Sequence, residues 1–149
     1  MFDLHHPKEP FVTDYLHAAV KRMHGKFGLD YSGPPRPLTH EEKTFRVGCL
    51  REEISEYQTA GSLVDELDAL VDLLVFTVGT LERQGLPVRE AFEIVMAANS
   101  RKEVAGEADR SKRHFAIDLV KPEGWMAPEP QLQSLLDFYG QARGVLVDG

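Results

Sequence analysis

Residues 49–81, CLREEISEYQTAGSLVDELDALVDLLVFTVGTL, place the tightest limit on the fold. After the string TAGS, Leu63, Leu67, Leu70, Leu74, Val78 and Leu81 recur at spacings of three and four, the repeat of one helical face. The run before TAGS also reads as an amphipathic helix. TAGS leaves room only for a bend, with Ser62 as a helix cap and Asp65 where a capping-box acid sits. Helices joined by so short a turn are antiparallel neighbours. Acids gather on both sides of the bend: Glu52, Glu53 and Glu56 before it, and Asp65, Glu66, Asp68 and Asp72 after it.

The remaining segments extend this pair into a bundle. Residues 1–10 read as a loose arm. A first helix is expected from about Thr13, as cap, to His24, with Tyr15, Leu16, Ala19, Val20 and Met23 on its apolar face. Gly25 and Gly28 end it, and residues 28–38 form a turn-rich linker. Thr39 with Glu42 fits a capping box, so the second helix runs from there to about Gln58. The third reaches about Gln84 and is stopped by Gly85, and Pro87 opens a fourth that fades near Lys102 to Gly106. Residues 103–128 are polar and rich in Lys, Arg and His, and hold the string LVKPEGW. Pro130 opens a short last helix over Leu132, Leu135, Leu136 and Phe138, and QARGVLVDG is a loose tail. The expectation is one all-α domain over residues 1–149 with its core at about 12–128: an antiparallel bundle of four to five helices with a C-terminal loop segment.

Charge narrows the partners. At a net −7, the chain is poorly suited to track a phosphate backbone, so a nucleic acid polymer is not expected. A nucleotide is not excluded, because bound cations can invert the local field. The single cysteine makes no internal disulfide, which points to a reducing cytoplasm. Leu70 to Leu81, the most apolar stretch, is broken by Asp72 and is too short to span a bilayer, so no membrane role is expected.

Inward positions of a packed bundle recur at alternating threes and fours. Such seams are Phe45, Cys49, Glu52 and Glu56 in the second helix, and Asp65, Asp68, Asp72, Val75 and Gly79 in the third. In the fourth, the seam is Val88, Phe92, Val95, Asn99 and Lys102. Each is apolar at one end and polar at the other. On this reading Glu53 points off the seam. Clustered carboxylates repel one another, and divalent cations such as Mg²⁺ or Mn²⁺, which favour oxygen ligands, relieve that repulsion. The other reading is a solvated acidic face, since the leucine arc of the third helix lies mostly opposite Asp65 and Asp72. Arg101, Arg110, Lys112, Arg113 and His114 form a basic run that is either a solvated loop or a lid. Cys49 reads as buried filler, and no P-loop string is present.

Taken in order, these residues resemble a family. REEISE followed by DELDALVDLLVFTVGTLERQGL is similar to the all-α NTP pyrophosphatases of the MazG and phosphoribosyl-ATP pyrophosphohydrolase (HisE) group. The correspondence runs through the EExxE string Glu52-Glu53-Ile54-Ser55-Glu56, the acids up to Asp72, Asn99-Ser100-Arg101-Lys102 and Lys121-Pro122-Glu123-Gly124-Trp125. One position departs from the pattern: Ala69 stands where an ExxD pair would have Glu, and Asp68 is the nearest substitute.

The resemblance implies hydrolysis of a nucleoside triphosphate to monophosphate and pyrophosphate. It implies on the order of two to three Mg²⁺ or Mn²⁺ ions per site among Glu52, Glu53, Glu56, Asp68 and Asp72. Glu53 would accept the proton of the attacking water. Asn99, Arg101, Lys102 and Lys121 would hold phosphate or sugar, and Trp125 would stack on the base. The KPEGW string resembles phage members of MazZ type, which implies dGTP or GTP; dUTP, dCTP and phosphoribosyl-ATP are the alternatives within the class. A homo-oligomer, dimer or tetramer, is also implied. The competing expectation from another class is a helical dimerisation module whose acids do no chemistry.

Overall fold

The computed structural model describes residues 12–106 and 118–144, and of residues 143 and 144 only the backbone. Five helices dominate: α1 Val12–Lys26, α2 His40–Thr59, α3 Leu63–Arg83, α4 Val88–Asn99 and α5 Glu129–Gly144. Between α4 and α5, β1 Glu103–Val104 pairs antiparallel with β2 Leu119–Val120, Glu103 opposite Val120. The all-α bundle is thus observed, and the C-terminal loop segment contains a small hairpin and a further helix. The fourth helix ends at Asn99, before Lys102. QARG, expected in the tail, is the last turn of α5, whose Tyr139 hydroxyl donates to Glu90 on α4 at 3.0 Å.

Local chemistry sets the helix ends. Thr39 and Glu42 form the expected capping box: the Glu42 N–H donates to Thr39 Oγ1 at 3.2 Å, and the Thr39 N–H to Glu42 Oε2 at 3.1 Å. Ser62 accepts the Asp65 N–H at 3.2 Å and starts α3. Gly85 closes α3 with a φ of 68°, a left-handed conformation that glycine adopts without strain. Thr13 lies inside α1 rather than capping it. α1 runs through Gly25 to Lys26, and Gly28 (φ 69°) turns the chain away, with the Leu29 N–H donating to the His24 carbonyl at 2.8 Å.

Packing puts α2 and α1 against α3, and α4 against α1 and α5. The buried centre is small: Val20, Ala69, Val78, Val88 and Ala98, joined by the polar side chains of His24, Glu53 and Glu82. Two expected faces shift. His24, and not Met23, lies on the inner side of α1. The leucine arc of α3 is inward only toward its C-terminus, at Val78; Leu63 is 79% exposed and Leu74 43%.

The C-terminal end of α3 is held by a polar clasp. Glu82 accepts from His24 at 2.5 Å and from the Tyr31 N–H at 3.1 Å. Arg83 donates to the Leu29 carbonyl and to Glu42, and Arg36 in the linker pairs with Glu42 and lies over the Tyr31 ring. Gly79 leaves the space this requires: a Cβ there would stand 3.1 Å from His24 Nε2 and 3.2 Å from Arg46 Nη1.

Candidate active site

The acidic end of the α2–α3 pair is arranged around Glu53. It is 8% exposed, whereas Glu52, Glu56 and Asp68 are exposed and Asp72 is half-buried. The expected seam of α2 is therefore rotated: Glu53 faces inward, and Phe45, Glu52 and Glu56 do not. On α3 the buried position among the acids is Ala69, 1% exposed. Of the α3 seam, Asp72, Val75 and Gly79 keep inward positions, while Asp65 and Asp68 face solvent.

Glu53 Oε2 is buried and has no hydrogen-bond partner. Burial holds the Glu53 carboxyl above the ordinary carboxylate range, and the negative charges of Glu56, Asp72, Glu52 and Asp68 push it further the same way. All the acids singled out as ligands thus act on one buried carboxyl. Among the described residues, no three acidic, imidazole or thiol side chains converge closely enough to grip an ion as they stand. The donor set is nevertheless hard oxygen, and its central member has an unsatisfied oxygen, which fits Mg²⁺ or Mn²⁺.

A second group forms beyond α4. Trp125 donates its indole N–H to the Ala98 carbonyl at 2.8 Å. Lys121 Nζ lies 4.6 Å, and Lys102 Nζ 5.6 Å, from the centre of its ring. Asn99, half-buried, ends α4, and its carbonyl accepts the Lys102 N–H at 3.0 Å. Arg101 is exposed in the turn that follows. Lys102, Lys121 and Trp125 are thus brought together, and Glu53 is surrounded by the other acids. Arg110, Lys112, Arg113 and His114, the rest of the basic run, lie outside the described residues. The clasp formed by His24 and Glu82 was not singled out from sequence, because nothing local marks a pair so far apart in the chain.

Antiparallel helices that carry clustered carboxylates, in a bundle with almost no strand, are the architecture expected of the MazG/HisE-like all-α NTP pyrophosphatases. The family model described as phosphoribosyl-ATP pyrophosphohydrolase matches residues 20–99, more than half of the chain, and the chain belongs to that family. It is a nucleotide pyrophosphohydrolase. A search of curated proteins finds none that matches it. Among the described residues, no helix is long and apolar enough to cross a membrane.

Proposed function

We propose that the chain splits a nucleoside triphosphate between its α- and β-phosphates, with Mg²⁺ or Mn²⁺ held by Glu52, Glu53, Glu56, Asp68 and Asp72. One observation carries the reading: a buried carboxyl with an unpartnered oxygen, under the charge of four more acids. Such a cluster is costly for the protein alone and is relieved by divalent cations. The ions, when bound, supply charge neutralisation for the triphosphate and a lower pKa for the attacking water.

The chain's own groups do the rest. Glu53 accepts the proton of the water, a role suited to a carboxyl with raised proton affinity. Asn99, Arg101, Lys102 and Lys121 meet phosphate and sugar.

Two substrates have support. The string LVKPEGW favours dGTP or GTP through its resemblance to the MazZ-type members. The family match favours phosphoribosyl-ATP to the same degree. Pyrophosphate release should be measured with all canonical NTPs and dNTPs and with phosphoribosyl-ATP, each with Mg²⁺ and with Mn²⁺. Silence across the whole panel would sink the reading, as would full activity in Glu56→Gln and Asp72→Asn. The dimerisation-module alternative is separated by melting: Mn²⁺ with a non-hydrolysable nucleotide at about 100 times its Kd adds about 2.7 kcal/mol to an enzyme and nothing to an adaptor.

A second copy of the chain is also proposed as the cover for α3. Leu63, Val64, Leu67, Leu70, Val71 and Leu74 form a continuous exposed apolar face on that helix, of a kind that marks an interaction surface.

A further inference from the structure

The indole of Trp125 is already engaged on its edge and over its ring. Its N–H is held by the Ala98 carbonyl, at the buried C-terminal end of α4. Two ammonium groups lie over its ring, at 4.6 Å and 5.6 Å from its centre, within the range of cation–π attraction. The hairpin explains how they meet. Glu103 pairs with Val120, so the next antiparallel register position sets Lys102 beside Lys121. Trp125 then folds back, its backbone N–H donating to the Pro122 carbonyl at 3.1 Å through a turn closed by Gly124 at φ 74°. Neither lysine makes an ion pair among the described residues. Like charges repel, and the negative face of the ring holds these two together.

We infer that Trp125 is a positioning residue: it holds Lys102 and Lys121 as a paired cation site for the polyphosphate of the substrate and does not stack on the base. This rests on the proposed reading that the two lysines meet phosphate. All three residues lie beyond the segment 20–99 that matches the family. A polyphosphate site of this kind is indifferent to the base, so selectivity for one nucleotide over another must arise elsewhere in the site.

Trp125 is the only tryptophan of the chain, so its emission reports on this place alone. The full chain should be titrated with inorganic tripolyphosphate, which has no base, and with guanosine and adenosine, which have no phosphate. Tripolyphosphate should change the emission and the nucleosides should not; a response to the nucleosides alone overturns the inference in favour of stacking. Calorimetry with tripolyphosphate then compares Lys102→Ala, Lys121→Ala, Trp125→Phe and Trp125→Leu, each checked for folding by circular dichroism.

Each cation–π contact corresponds to about a two- to fivefold effect, so Trp125→Leu should weaken tripolyphosphate about fivefold or more, and Trp125→Phe, which keeps an aromatic face, by less. If both lysine variants bind less well but folded Trp125→Leu binds as the parent does, the positioning role fails alone. If neither lysine variant loses affinity, the reading of the lysines as phosphate ligands fails, and this inference with it.

Discussion

His24 Nδ1 and Glu82 Oε2 stand 2.5 Å apart, with 4% and 1% of their side chains exposed. The second oxygen of Glu82 accepts the Tyr31 N–H, so one carboxylate joins α1, the linker and α3. Glu82→Ala leaves a buried imidazole and a backbone donor without partners, and should cost about 3–5 kcal/mol. Urea unfolding measures this directly. Asp14→Ala, which breaks an ion pair with Arg89 at 3.7 Å on the surface, should be barely detectable in the same assay.

Glu53 makes a prediction of opposite sign. Its folded pKa lies above the ordinary 4.5, so the folded protein holds this proton more tightly than the unfolded chain does. The resulting stabilisation is complete below the unfolded value and is lost as pH rises through the folded one. Glu53→Gln should therefore melt higher than the metal-free parent at neutral pH, and the gap should narrow as pH falls toward 4.5. The same variant should release no pyrophosphate. Melting scans across pH, with and without Mn²⁺, check both halves; a lower melting temperature in the variant would refute the assignment.

Glu42 behaves in the reverse manner. The hydrogen bond from Arg83, then the Thr39 N–H and Arg36, hold its carboxyl down to about 2. Its contribution is present above the unfolded value of 4.5 and fades as pH falls through about 2. Glu42→Gln should be less stable than the parent at pH 7, and the difference should shrink across that acid window. Denaturant midpoints at stepped pH read it out.

The apolar face of α3 predicts association. Light scattering on a sizing column should find at least a dimer. Leu67→Lys together with Leu74→Lys should shift the protein to a monomer, because burying unpaired ammonium groups in an apolar interface is unfavourable. A parent that elutes as a monomer at high concentration would contradict this.

Much of this was legible along the chain wherever the signal is local. Thr39 with Glu42, Ser62 with Asp65, and the left-handed Gly85 set helix ends through contacts three residues apart or less, and those ends fall where the spacing places them. The acid set was legible as composition on two faces. Which acid turns inward was not, because Glu52 and Glu53 differ by about 100° on a wheel, and the choice depends on how α2 packs against α3. The leucine arc misled for a related reason: apolar spacing says that a face is to be covered, not by which chain. The pairing of His24 with Glu82 spans 58 residues, beyond any periodic signal.

The bend between α2 and α3 lies well away from Glu53 and Asp72. Glu53 lies roughly 9 Å along its helix from Thr59, and Asp72 roughly 14 Å along its own from Leu63. Gly61 is exposed, and a side chain there would meet nothing within 4 Å. The carboxylates are thus mounted on rigid rods and not on the connector, which leaves Gly61 as a natural splice point for a tag or fluorescent reporter, provided that Ser62 keeps its capping role.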